Sequence, residues 1–269
     1  MTNRFDERQR MTTTQRVHFA TALGQRVPAV TVAEMHDVDR ISIEATGPAL
    51  LQLLELAGQQ TALAALDMLG DRWPGARVVV LCGSGHNGAA GVCAARHLAN
   101  RGLAVEVITV VPLQRADGAL GEAFLALGEA PARITRWDEA FDVSSADLII
   151  DAILGCRLRG RPHPVQAGLI RAAQGGAESG VPILSLDSPS GLDADRGIIP
   201  GYARIGVRPT RTLTIGLPKR GLTRANSGDL WLADIGIPPG VFARAGIAFA
   251  PFFGTEARIP LVYPDGGAS

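Results

Sequence analysis

No apolar run in the chain comes near the roughly 20 residues that a membrane-spanning helix requires, and the first thirty residues hold no apolar core of a secretion signal. A soluble, cytoplasmic protein is the expectation. An excess of one charge is lacking too: 26 Lys plus Arg balance 26 Asp plus Glu, so no global field draws the chain to nucleic acid or to an anionic membrane. Cysteine is scarce. Cys82, Cys93 and Cys156 are odd in number and lack metal-type spacing, which argues for reduced, buried thiols. Catalytic signatures are missing as well. Gly-x-Ser-x-Gly does not occur and Ser190 has no assigned histidine base, so covalent catalysis is not expected. His18, His36 and His163 have no cysteine or carboxylate pattern around them, and His97 falls on a helix, where a surface or packing role is expected.

What is present describes a packed α/β domain. The chain is 46% hydrophobic and 19% charged, with 32 Gly and 17 Pro to punctuate many short elements, and one large domain is the simplest reading. Residues 1–29 read as a flexible arm, 30–245 as the domain, and 246–269 as an irregular tail. Within the domain the periodicity predicts a helix from Thr31 and an apolar helix over 49–69. Strands over 77–82, 104–111, 133–136, 147–151 and 182–186 then alternate with helices over 88–101, 115–128 and 164–176, followed by strands over 211–215 and 229–233. Such alternation is the mark of βαβ units around a parallel sheet.

Three apolar runs end in polar punctuation. The run 78–82 meets Gly83-Ser84-Gly85-His86-Asn87-Gly88, the run 148–150 meets Asp151, and the run 183–186 meets Asp187-Ser188-Pro189-Ser190-Gly191. As parallel strands they would align these groups along one sheet edge, where open α/β folds bind ligands. The glycine loop fits G-x-G-x-x-G between a strand and a helix, the context of a phosphate-cradling turn. A dinucleotide-binding unit would also place an acid at the end of the second strand, but that strand runs into Val110-Val111-Pro112. Arg115 could meet a 2′-phosphate instead, which keeps an NADP-dependent oxidoreductase open. No Lys-Ser/Thr follows the loop, so a P-loop nucleotidase is excluded. A carboxylate at a strand end can be a plain loop cap, yet Asp151 and Asp187 with Asn87 and Ser190 make an oxygen-rich cluster. It suits a hard cation, or acid–base work with one carboxyl protonated. Asp193 and Asp195 fail the EF-hand spacing and read as turn residues.

Five segments in order resemble one known family: 80–98 around the glycine loop, 147–155 (Asp-Leu-Ile-Ile-Asp-Ala-Ile-Leu-Gly), 186–197 (Leu-Asp-Ser-Pro-Ser-Gly-Leu-Asp-Ala-Asp-Arg-Gly), 214–222 (Thr-Ile-Gly-Leu-Pro-Lys-Arg-Gly-Leu) and 234–238 (Asp-Ile-Gly-Ile-Pro). They are similar to the YjeF N-terminal domain, the NAD(P)H-hydrate epimerases. The resemblance implies a Rossmann-like three-layer αβα sandwich with a mostly parallel central sheet. It also implies an isomerase that repairs damaged nicotinamide cofactor by interconverting the R and S hydrates of NADH and NADPH. A potassium ion is implied as cofactor, held by Asn87, Asp151 and Ser190. The implied substrate contacts are His86, Asn87, Gly88, Ala89 and Ala90, then Gly155, Cys156, Arg157, Leu158, Arg159, Gly160 and Arg161, with Asp187 as both contact and acid–base group. A homodimer and a separate dehydratase are expected partners.

Four positions in two segments depart from that family's pattern. The usual Asn-Asn-Gly-Gly-Asp-Gly reads His86-Asn87-Gly88-Ala89-Ala90-Gly91, and Glu-Asn-Ala-Gly reads Glu55-Leu56-Ala57-Gly58. Loss of two polar groups raises a competing reading, a binding or scaffold protein of the same fold without catalysis.

Overall fold

The computed structural model describes residues 16–156, 160–201 and 205–264. At its centre lie seven parallel strands in the order β9-β8-β7-β6-β3-β4-β5: β3 (Arg77–Cys82), β4 (Ala104–Thr109), β5 (Ala132–Arg136), β6 (Leu148–Ala152), β7 (Ile183–Leu186), β8 (Arg211–Ile215) and β9 (Asp229–Ala233). Along β3, Val78, Val80 and Cys82 join one core while Val79 and Leu81 join another. Both faces of the strand are therefore buried, which explains an unbroken apolar run where a half-exposed strand would alternate. Each such valine contributes roughly 1.5–3 kcal/mol through its burial.

Helices cover both faces. α3 (His86–Ala99) and α4 (Gly118–Leu127) carry the chain from β3 to β4 to β5 and pack into the larger core, with α2 (Leu50–Leu69) laid across α3. The chain then returns to the opposite side of β3 as β6, and α5 (Pro164–Glu178) packs into the smaller core on the other face. Crossovers have a fixed hand, so reversing direction along the sheet moves the connecting helix to the opposite face. The boundary between β3 and β6 is the point of reversal, where a crevice opens at the strands' carboxyl ends. The αβα layering expected from sequence is what the chain adopts. Among the described residues no helix is long and apolar enough to cross a membrane.

Both ends of the chain differ from expectation. Residues expected in a flexible arm form β1 (His18–Thr21) and β2 (Arg26–Pro28), while the region expected to be an irregular tail contains β10 (Arg258–Val262). These three strands add antiparallel pairs in the order β2-β1-β10-β9. Their driving force is burial of a few side chains: Phe19 (1% exposed), Val27 (0%), Ile259 and Leu261. The same N-terminal region docks on the loop after β8, where Val30 N–H donates to the Pro218 carbonyl and Arg220 N–H to that of Val30, each at 2.9 Å.

α1 (Val32–Ile41) begins with a reciprocal cap. The Glu34 amide donates to Thr31 Oγ1 at 3.1 Å and the Thr31 amide to Glu34 Oε2 at 2.7 Å. Thr31→Ala is expected to cost about 1 kcal/mol, measured as a lower urea midpoint at unchanged slope. An unchanged midpoint would mean the cap contributes nothing.

Candidate functional site

The turn at 83–85 joins β3 to α3, and two of its glycines answer steric demands. A Cβ on Gly83 would stand 1.8 Å from the Ile153 carbonyl oxygen, and one on Gly88 2.1 Å from that of Gly83. The loops after β3 and β6 are thereby pressed together. Gly85 caps α3, its carbonyl accepting from the Ala89 amide at 3.0 Å. The helix thus starts at His86, ahead of the expected 88, and His86 and Asn87 occupy its first turn. Amides of that turn have no intrahelical acceptor and carry the positive end of the helix dipole, a combination that favours an anion.

A cavity of 440 Å³ lies before these strand ends. His86, Asn87 and Ala90 line it from α3, Gly155 and Cys156 from the loop after β6, Asp187 from the end of β7, and Lys219 from the loop after β8. Met35 of α1 and Leu50, Leu53, Leu54 and Ala57 of α2 form an apolar wall. A mostly apolar hollow with a few convergent polar groups is the common form of a small-molecule site.

Asp151 and Ser190, both expected at the site, do not line this cavity and are fully buried. The Asp151 oxygens accept from Ser185 Oγ at 2.7 Å, the Ser190 amide at 2.9 Å, the Ile153 amide at 3.3 Å and the Ser190 hydroxyl. Burial pushes its carboxyl pKa up, and these donors pull it back only in part. No described cationic side chain pairs with it. Ser190 Oγ also accepts from the Leu154 amide at 2.9 Å, tying the loops after β6 and β7 together. The Asn87 amide nitrogen is buried without a partner, and turning the amide over would put its oxygen there instead. Asn87, Asp151 and Ser190 therefore offer hard oxygen donors, a chemistry that fits a cation such as K+.

Asp187 is the one described non-glycine residue with a left-handed backbone, φ 69°. Aspartate tolerates that region at a cost on the order of 1 kcal/mol. Its amide donates to the Leu213 carbonyl at 2.8 Å, Oδ2 accepts from the Cys156 amide at 3.1 Å, and Oδ1 accepts from Lys219 Nζ. A Cβ on Gly155 would lie 3.3 Å from Asp187 Oδ2 and 3.6 Å from Asn87 Cβ. Glycine there keeps the space between these two side chains open.

Lys219 is 1% exposed, and its ammonium also donates to the Ile215 carbonyl at 3.1 Å and approaches Thr214 Oγ1 at 3.5 Å. Burial alone would lower its pKa, but the Asp187 carboxylate beside it outweighs that and holds it above the ordinary lysine value. Sequence reasoning missed this residue because a lysine in a Gly-Pro loop reads as solvated. One signal was available: it is the chain's only lysine, every other cation being arginine.

Not every residue expected at the site meets there. Gly88 and Ala89 do not line the cavity. On α3, residues 86, 87 and 90 share a face, and 89 points away from it into a separate groove of 570 Å³ between α2, α3 and α4. In that groove Glu55 and Arg96 pair with each other, and His97 binds the same carboxylate at 2.8 Å. Gly160 and Arg161 lie exposed beyond the loop segment that lines the cavity, while Arg157, Leu158 and Arg159 fall outside the described residues. Arg115, the candidate for a 2′-phosphate, is not a lining residue. Of the two positions that lose a polar group, Ala90 lines the cavity but Leu56 does not; its side chain lies 3.5 Å from where a Cβ on Gly236 would be. All three thiols are unpaired and buried, and burial raises Cys82 and Cys93 to about 12.

Comparison with known proteins places the chain. The family described as "YjeF-related protein N-terminus" matches residues 50–221. The NAD(P)H-hydrate epimerase of Dehalogenimonas lykanthroporepellens is 42% identical over 85% of this chain and 90% of its own, and that of Leuconostoc mesenteroides is 34% identical over 77% and 90%. A bifunctional NAD(P)H-hydrate repair enzyme Nnr from Hyperthermus butylicus is 37% identical over 81% of this chain, which spans only 39% of that longer protein. The crystal structure of the yeast protein ynu0 (YNL200c) superposes with a TM-score of 0.75 at 22% identity, covering 86% of this chain and 99% of the yeast one. The last likeness concerns the fold alone. Matched over most of its length by motif, sequence and fold, the chain belongs to the family of the YjeF-related protein N-terminus.

Proposed function

We propose that this protein interconverts the R and S forms of hydrated NADH and NADPH, with Asp187 as the acid–base group. The observation that carries the reading is the presentation of Asp187 at the cavity floor beside Gly155 and Asn87, facing the first turn of α3. Relatives named NAD(P)H-hydrate epimerase support it.

The hydrated ring carries a hydroxyl on C6, next to the ring nitrogen. From the form of the pair in which Asp187 Oδ2 carries a proton, transfer of that proton to the hydroxyl oxygen lets the C6–O bond break and water depart, leaving C6 planar and the positive charge shared with nitrogen. The carboxylate so formed stabilises the cation. Water then adds to the opposite face of C6 and returns its proton to Asp187. Proton and water balance over the cycle, so no oxidant or reductant is consumed. The amides at the start of α3 are suited to the diphosphate of the dinucleotide.

Asn87, Asp151 and Ser190 would hold the potassium ion. When bound, the ion supplies a fixed positive charge that balances Asp151 and stiffens the loops after β6 and β7. Raising K+ to about a hundred times its dissociation constant is expected to stabilise the fold by about 2.7 kcal/mol. The readout is a higher melting temperature that choline does not reproduce and Asp151→Asn abolishes. Equal melting temperatures in potassium and choline would remove the ion from this account.

A single purified epimer followed by NMR tests the reaction itself. Its partner signal is expected to grow faster with the protein than without it. The competing reading, a binding protein without catalysis, is favoured by Ala90, which puts a methyl where the family pattern has an acid. It predicts dinucleotide binding with only the spontaneous rate.

A further inference from the structure

The proposed epimerisation gives a task to Asp187 but none to the buried cation bonded to it. Lys219 is the sole lysine among 26 cationic side chains, and it stands 1% exposed beside Asp187, one of two carboxylates, with Asp39, that line the cavity. A chain that uses arginine everywhere else has kept the smaller, tetrahedral donor here. Its ammonium meets three acceptors in different directions, Asp187 Oδ1, the Ile215 carbonyl and Thr214 Oγ1. A planar guanidinium distributes its donors in one plane and is a poor substitute.

The carboxylate that Lys219 grips is also the residue with φ 69°, a backbone state that persists only where surrounding contacts over-determine it. Lys219 takes Oδ1, while Oδ2 faces Gly155 and the Cys156 amide. We propose that Lys219 is a positioning residue for this site: it locks Asp187 through Oδ1 so that Oδ2 is the oxygen offered to the substrate hydroxyl. The proposal rests on the epimerase reading for its kinetic consequence but not for the pairing itself. Other charged and titratable groups bear on the ammonium from the elements around it: Asp39 from α1 and Cys156 from the loop after β6, with His86 of α3 on the same cavity.

Having one lysine makes the test direct. Protein labelled with ¹⁵N and ¹³C in lysine gives a single side-chain ammonium signal, assigned without mutagenesis. In the wild type it is expected to stay protonated beyond the ordinary lysine range and to resist solvent exchange at neutral pH. In Asp187→Asn, burial is left without its counterweight, so the midpoint falls below the wild-type value. An unchanged midpoint, or a freely exchanging signal in the wild type, overturns the pairing whatever the protein's activity. The kinetic arm uses Lys219→Met and Lys219→Arg. Each is expected to lose about 10²-fold in kcat while still binding NADP+ at one per chain with a dissociation constant within about threefold of wild type. Wild-type kcat in Lys219→Met overturns the positioning role, and so does loss of NADP+ stoichiometry in step with kcat, which marks a purely structural residue. A wild-type protein without epimerase activity would sink the proposed reaction, and the lysine signal would still decide the pairing.

Discussion

Replacing Asp187 by asparagine is expected to lower kcat/KM for epimerisation by about 10²–10⁴-fold, with the fold retained. Asparagine is the informative substitution because it accepts the left-handed backbone at this position (φ 69°) as readily as aspartate. Its carbonyl oxygen can still accept from Lys219 or from the Cys156 amide, so the loops after β6 and β7 keep their connection. What it cannot do is deliver a proton to the C6 hydroxyl or carry the negative charge that faces the planar cation. Steady-state rates, read beside a thermal melt, separate the two effects. A melting temperature within a few degrees of wild type with the rate lost assigns the chemistry to Asp187, whereas retained rate removes the residue from the mechanism.

Gly83→Ala should damage stability and activity together. Its methyl would be built 1.8 Å from the Ile153 carbonyl oxygen, and that atom is backbone, so the loop after β6 has to move. The same loop carries Gly155 and Cys156 to the cavity, and just before it the Ala152 carbonyl at the end of β6 accepts from the Gly83 amide at 3.1 Å. Forcing such a shift costs about 1–3 kcal/mol or somewhat more, read as a lower urea midpoint, and displaces the amide that holds Asp187 Oδ2. Gly85→Ala is the control two residues on. A Cβ there meets nothing within 4 Å, and its φ of −104° suits any residue. Equal stability of the two variants would show that the close approach of the loops is not a constraint.

The middle of the sheet was legible because β3, β6 and β7 are buried on both faces and end at glycine or aspartate. Runs 77–82, 211–215 and 229–233 match β3, β8 and β9 as predicted. The edges were not. β2 has three residues and β1 four, too few to show a period, and Pro260 inside β10 argued against a strand although Ile259 and Leu261 on either side are buried. The site was legible to the extent that it sits at strand ends. Asp151, Asp187 and Asn87 follow from that rule, but the direction in which a helix residue points depends on its phase, and reading α3 as starting at 88 hid the fact that Ala89 turns from the cavity. Lys219 was invisible for a different reason. Its backbone bridges to Val30 and its side chain bonds to Asp187, contacts between segments far apart in the chain that no local pattern encodes.

The proposed reaction is tested most directly by a coupled assay. A mixture of R and S hydrates is given a dehydratase that consumes only one epimer, and the reaction stops when that share is spent. Adding this protein is expected to carry consumption through to the whole mixture, and Asp187→Asn is not. If consumption halts at the original share while the protein still binds the dinucleotide, the chain does not epimerise this substrate and the account is wrong.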